Sequence, residues 1–298
     1  MADKSTRILV LLREACDPRP PVRLSADGFG VDDRGLRRIT NPADLSALEM
    51  ALQLAAQHQG AVTAVAIGPK RVNDHLRLAL AMGADRAVRV WNSALQGGDA
   101  AADARLVARL IEIIQPDLVF AGNRLIDRGD DPAPALAAAR LGIACVPAVL
   151  TVNCRAGAVE VLRKSDRGGR QVVGTQTPCL LLCDATSCEP RFPDQAAVMA
   201  ALNRPIEVWG LPELGLPVRD VGAAGAVLGK ERCSFPRANP QRVVTPDPNL
   251  PAFERILALL SGGIKPREGK VHAVSPEATV EMLLDIFKAE GLIGGSSH

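Results

Sequence analysis

Four short apolar runs recur through the first 121 residues, at 8–12, 61–67, 86–90 and 117–121, and a stretch with helical signals precedes each of the last three. The first run reads ILVLL, with neither helical spacing nor polar alternation. That is the pattern of a strand buried on both faces of a parallel sheet. Asn41-Pro42 opens the first helix: Asn41 is expected to cap its free N–H groups, Pro42 suits the first position and Asp44 complements the dipole, while Leu45, Leu48 and Leu52 form an apolar stripe. A second helix is predicted over 72–82, stopped at Gly83, and a third over 101–114, carrying Leu106, Leu110 and Ile113 on one side. Strands alternating with helices predict an α/β fold with a doubly wound, mostly parallel sheet of the adenine-nucleotide-binding kind.

From Val149 onward the reading changes to short strands, including 159–162 and 179–183, on either side of the turn Asp166-Arg167-Gly168-Gly169. This predicts a β-hairpin added to the sheet. Residues 17–35, rich in Pro and Gly, read as a loop or hairpin. Beyond residue 204 the composition turns to Pro, Gly and polar residues, so the chain divides into an α/β domain, 1–203, and a long C-terminal arm, 204–298. The arm ends in a helix begun by Ser275-Pro276-Glu277, with Val280, Leu283, Leu284 and Phe287 at helical spacing and a stop at Gly291. Such an apolar face needs a surface, its own domain or a partner chain, and the length of the arm favours the partner.

Composition removes several classes of function. A net charge of +2 without any run of five or six like charges argues against nucleic acid and against a polybasic membrane patch. Six Phe, two Trp and no Tyr leave little from which to build a base-stacking platform. The longest apolar stretch, 132–152, holds Arg140, three prolines and mostly alanine, so no membrane-embedded segment is expected. Asp3, Lys4 and Arg7 flank a run too short for an export signal, and the expected location is cytoplasmic. Seven cysteines, an odd number in a chain of this length, read as reduced thiols.

Ligands of such sheets bind beyond the carboxyl ends of the strands. The candidate segments are therefore 13–17, the helix start Asn41, Pro42, Ala43 and Asp44, the turn Ile67-Gly68-Pro69, and the long charged loop 122–134 with Gly122, Asn123, Arg124, Asp127 and Arg128. Asp44 would repel an anion at that helix start, which leaves simple capping as an equal reading. Ser261-Gly262-Gly263 follows a helix and reads as a C-cap, not as the phosphate loop of an ATP-splitting enzyme. Cys179, Cys183 and Cys188 lack metal-ligand spacing, and His58, His75, His272 and His298 have no nucleophile or carboxylate pattern beside them.

Several segments together resemble the beta subunit of electron transfer flavoprotein over almost the whole chain. They are Asn41-Pro42-Ala43-Asp44 with Ala47-Leu48-Glu49, Gly68-Pro69, Leu76-Arg77, and the most specific, Ala81-Met82-Gly83-Ala84-Asp85-Arg86. Pro116-Asp117-Leu118-Val119, Ile126-Asp127, Asp166 with Gly168-Gly169, Pro178 and Asp184 continue the pattern, as do Glu189-Pro190-Arg191, Pro205-Ile206-Glu207-Val208-Trp209 and Glu290-Gly291-Leu292-Ile293. The resemblance implies a heterodimer with an alpha subunit that holds most of the contacts to FAD. It also implies AMP, or a second FAD, on the strand-following loops of the beta chain, and an arm wrapped on the alpha subunit. Such a chain shuttles electrons from a flavoprotein dehydrogenase towards a quinone reductase-type acceptor, as part of a carrier and not as a catalyst by itself. The alternative is a structural or nucleotide-sensing scaffold with a degenerate site.

The chain departs from the family pattern at four places. Pro132-Ala133-Pro134 stands where the family shows a Gln-Thr-Gly turn, and two prolines remove two N–H donors. Leu11 stands where a small Ala faces adenine, and Arg170 where an acidic residue is typical. Gln195, Ala200, Leu202 and Asn203 replace a Leu anchor and a Lys-rich helix, so the expected donor is not a typical acyl-CoA dehydrogenase.

Overall fold

A computed structural model describes residues 6–129, 131–155, 157–229, 233–235, 245–260 and 274–289. β1 (Arg7–Leu11) leads into an antiparallel pair, β2 (Glu14–Cys16) and β3 (Arg38–Thr40), with the Pro- and Gly-rich segment between them. Three strand-and-helix units follow: α1 (Pro42–His58) and β4 (Ala61–Ile67), α2 (Asn73–Met82) and β5 (Arg86–Val90), α3 (Ala100–Ile114) and β6 (Leu118–Gly122). Then come α4 (Ala133–Leu141), β7 (Ala144–Arg155), β8 (Ala158–Lys164), β9 (Arg170–Gln176) and β10 (Cys179–Cys183). α5 (Gln195–Asn203), β11 (Glu207–Trp209), α6 (Leu211–Leu214), α7 (Gly222–Gly225), α8 (Ala252–Leu260) and α9 (Pro276–Ala289) complete the described elements.

The nine-stranded sheet runs β11-β5-β4-β1-β6-β10-β7-β8-β9, parallel from β11 through β7 and antiparallel across β7, β8 and β9. Its two faces have separate cores, because successive strand residues point to opposite sides. Ile8 and Val10 pack with α1 and α2, whereas Leu9 and Leu11 pack with α3 and α4. Connections to β4 and β5 thus cover one face and those to β6 and β7 the other, the doubly wound arrangement expected.

Three expectations change. Residues 179–183 are not an arm of the added hairpin; that hairpin is β8 with β9, and β10 lies in the sheet's interior between β6 and β7. Its five residues are all buried, which is why the run lacks polar alternation. Asn41 makes no side-chain cap on α1. The boundary expected after residue 203 falls after Ser234, since β11 adds to the sheet beside β5 and residues through Ser234 belong to the α/β unit.

In the second unit, 235–298, α8 and α9 are described, and both expose apolar residues: Phe253, Ile256, Leu257 and Leu260 on one, Val280, Leu283, Leu284 and Phe287 on the other. The predicted helix stop at Gly291, the final Glu290-Gly291-Leu292-Ile293, the Ser261-Gly262-Gly263 turn, His272 and His298 lie outside the described residues. Among the described residues no helix is long and apolar enough to cross a membrane.

Gly122, the last residue of β6, lies where α1 crosses the sheet. A Cβ there would stand 2.6 Å from the Cβ of Ala43 and 2.7 Å from its carbonyl carbon, contacts that backbone cannot yield. Gly122→Ala is therefore expected to destabilise the α/β unit by about 1–3 kcal/mol or more, read as a lower urea midpoint at unchanged slope.

Candidate functional site

The carboxyl ends of β1, β4, β5 and β6 converge on a cavity of about 740 Å³. It sits where strand order reverses, between β1 and β6, the position at which doubly wound sheets bind ligands. Leu11, Val65, Ile67, Trp91, Val107 and Leu125 supply apolar lining, and four arginines, Arg13, Arg38, Arg71 and Arg128, are matched by Glu14, Asp33, Asp103 and Asp131.

Arg13, two residues past the end of β1, organises this end of the sheet. Its main-chain N–H and its Nε donate to Asp44 Oδ2 at 2.8 and 3.1 Å, and its Nη2 donates to Asp44 Oδ1 at 2.5 Å and to the Gly122 carbonyl at 2.6 Å. Nη1 donates to Asp131 Oδ2 at 2.8 Å. Asp44, 0% exposed, also accepts the Gly122 N–H at 2.6 Å. Burial alone would lower the affinity of Arg13 for its proton, but Asp44 and Asp131 outweigh it and hold the guanidinium above its ordinary range. Asp44 therefore serves less as a complement to the helix dipole than as the carboxylate that locks α1 to β1 and β6.

The loop after β6 is held from behind. Asn41 Nδ2 donates to the Arg124 carbonyl at 2.8 Å and Asn41 Oδ1 accepts the Ile126 N–H at 3.1 Å, so the expected helix cap is spent on this loop. The Asn123 N–H donates to the Cys183 carbonyl at 2.7 Å, and Asn123 Oδ1 accepts the Ala148 N–H at 3.2 Å. Asp127 accepts the Cys16 N–H at 3.0 Å, tying the loop to β2. Glu14 on that strand pairs with Arg71 at 2.9 Å and with Arg38 at 3.6 Å, and Arg38 also pairs with Asp33.

Of the sequence-predicted site residues, Ile67, Gly68 and Arg128 line the cavity. Asn41, Asp44, Gly122, Asn123, Arg124 and Asp127 form the hydrogen-bonded backing just described, and Pro42 and Ala43 begin α1. Arg13 and Asp131 fell within the candidate segments without being singled out. Asp103 and Trp91 were missed: Asp103, four residues after the helix-capping Asp99, reads as an ordinary helix-start acid. Burial, with repulsion from Asp131 and Asp99, pushes its carboxyl up to about 6, relieved in part by Arg128. Among the described residues no cluster suits a metal ion, and the cysteines are free. Burial pushes the Cys179 thiol up to about 12 and raises that of Cys183 as well, which makes both unreactive.

A profile of the "Electron transfer flavoprotein domain" matches residues 28–214, well over half of the chain. The chain belongs to the electron transfer flavoprotein family. It is 31% identical to the electron transfer flavoprotein subunit beta of Methylophilus methylotrophus over 234 residues, which cover 77% of this chain and 89% of that protein. It is 32% identical to the protein FixA of Azorhizobium caulinodans over 223 residues, 72% of this chain and 79% of FixA. It is also 32% identical to the caffeyl-CoA reductase-Etf complex subunit CarD of Acetobacterium woodii over 212 residues, 70% and 80% of the two chains.

The motifs that resemble this electron transfer family have mechanical reasons here. Glu49, buried on α1, accepts from Arg191 Nε at 2.7 Å and Nη2 at 2.9 Å and from its main-chain N–H at 3.1 Å, which anchors the Glu189-Pro190-Arg191 segment. Arg86 pairs with Glu207 at 2.9 Å, joining β5 to β11. Asp184, after β10, pairs with Lys164 at 2.7 Å.

The raised carboxyl of Asp103 fixes a pH dependence. The folded chain binds its proton more tightly than the unfolded chain, so stability from this group is present at low pH and is lost as pH rises through about 6. Asp103→Asn is expected to stabilise the protein by about 1–2 kcal/mol at pH 8, below the full linkage value because the group is partly solvated, and by little at pH 4. Urea midpoints of the two proteins at the two pH values check this; an equal gain at both would refute the burial cause.

Proposed function

We propose that this chain is the beta-type subunit of a heterodimeric electron transfer flavoprotein. It pairs with an alpha-type chain that holds most of an FAD and moves electrons from a flavoprotein dehydrogenase towards a quinone reductase-type acceptor, in the cytoplasm. The observation that carries this, beyond family membership, is the second unit: α8 and α9 expose Ile256, Leu257, Leu283 and Leu284, an apolar surface that suits burial on a partner chain. The FAD of such a complex supplies the redox chemistry; this chain supplies a rigid α/β unit and the docking helices.

The donor that fits this chain differs from the usual acyl-CoA dehydrogenases. α5 and its approach expose Phe192 at 98%, with Val198, Met199 and Leu202 also exposed, and no lysine lies on α5. That surface suits an apolar partner patch better than an acidic one.

The adenine nucleotide that the resemblance implies for this chain fits poorly. At the cavity, Pro132 and Pro134 have no N–H, the Ala133 N–H is taken by Asp131 Oδ1 at 3.1 Å, and Nη1 of Arg13 is taken by Asp131 Oδ2. The pyrophosphate of a second FAD meets the same obstacle.

Co-expression with an alpha-type partner is expected to give a one-to-one complex carrying FAD. Leu283→Asp is expected to abolish co-purification while the thermal transition of the α/β unit is unchanged. A mutant complex that forms as well as the wild type, or a complex without flavin, would overturn the proposal.

A further inference from the structure

We infer that Asp131 is a built-in anion, filling the place at which this cavity would hold a ligand phosphate, so that the assembled complex carries neither AMP nor a second FAD on this chain. The inference rests on the heterodimer reading above.

A phosphate site of this kind needs unpaired N–H donors at a helix start together with a cation free to face the ligand. Here α4, nine residues long, begins behind Asp131-Pro132, and one carboxylate takes both resources: Oδ1 accepts the Ala133 N–H and Oδ2 accepts from Arg13. Nε and the two N–H groups of Nη2 go to Asp44 and to the Gly122 carbonyl, which leaves a single Nη1 N–H, on the nitrogen already bound to Asp131. Both partners of the Arg13–Asp131 pair are largely buried, their side chains 16% and 18% exposed, so the pair belongs to the interior and not to a mobile rim.

Two of the other three lining arginines are committed elsewhere, and the third is a solvated one. Arg71 is held by Glu14, and Arg38 by Asp33 and Glu14. Arg128 lines the cavity but keeps a side chain 71% exposed and only a loose 4.0 Å pair with Asp127. A phosphate introduced here would also face Asp103, whose carboxyl already feels Asp131. A second negative group would have to break the Arg13–Asp131 pair and then occupy a region of raised negative potential.

The test uses the purified heterodimer. Nucleotides released on denaturation and separated by chromatography are expected to give about one FAD per heterodimer and essentially no AMP. AMP, or a second FAD, near one per heterodimer would overturn the inference while leaving the heterodimer reading intact; no FAD at all would instead count against that reading. In a second arm, Asp131→Gly frees Nη1 of Arg13 and the Ala133 N–H. Millimolar AMP, or inorganic phosphate as the simpler probe, is expected to raise the melting temperature of the variant and not of the wild type, with AMP affinity higher by roughly tenfold or more. A variant no more responsive than the wild type would show that Asp131 is not what closes the site. Should Asp131→Gly fail to assemble, Asp131→Asn keeps the shape while removing the charge, and the wild-type nucleotide content decides on its own.

Discussion

The ion pair between Arg13 and Asp44 is the contact on which the carboxyl end of the sheet depends. Burying a fully enclosed carboxylate costs several kcal/mol unless its lone pairs are satisfied. Asp44 meets that cost with three hydrogen bonds from Arg13 and one from the Gly122 N–H. The same four bonds join β1, α1 and β6, three elements brought together by the reversal of strand order. Gly122 is required because α1 passes so close that its first turn occupies the space of a side chain. A tight approach and a buried charge are thus two aspects of one arrangement, and neither survives without the other.

That arrangement determines the character of the cavity above it. Arg13 is the cation best placed to greet a ligand, but four of its five guanidinium donors are used in holding the scaffold together and in pairing with Asp131. The lining is neutral in formal charge and largely self-paired, through Arg13 with Asp131, Arg71 with Glu14 and Arg38 with Asp33 and Glu14, which leaves Arg128 and Asp103. A cavity that attracts a phosphate keeps some of its polar capacity unspent, at a cost in stability of the empty form. At the start of α4 this cavity has spent it, on Asp131; under the proposed function the chain's part is then mechanical.

The regular framework was legible because it follows from burial and periodicity. Strand 86–90 appeared with the expected bounds, and helix 101–114 gained one residue at its start, where Asp99 caps it. Cys179 and Cys183 were readable as inert because small thiols in an unbroken apolar run have no water or cation to stabilise a thiolate. What sequence alone obscured was pairing over distance. The run 179–183 looks alike as a hairpin arm and as a central parallel strand, since only strand order, fixed by contacts more than fifty residues away with β6, distinguishes them. Asn41 satisfies every local rule for a helix cap, yet loop 122–131 competes for the same side chain and wins by satisfying two main-chain groups at once. Asp131 offered still less signal: its role exists only because Arg13, 118 residues earlier, ends within reach.

The two units divide this labour along a physical line. The α/β unit places the apolar residues of its strands and helices in two cores and pairs the buried Asp44 and Glu49 with Arg13 and Arg191. α8 and α9, of nine and fourteen residues, are short enough that isolated helices of their length are marginal in water. Their stability must come from covering the apolar faces, and every such residue covered at an interface adds hydrophobic stabilisation of about 25 cal/mol per Å² that the free chain lacks. In the heterodimer proposed above, folding of this end would be coupled to assembly. On that proposal two properties separate: substitutions on α8 and α9 are expected to alter association and leave the cavity unchanged, and substitutions around Arg13 to alter the cavity and leave the exposed apolar faces unchanged.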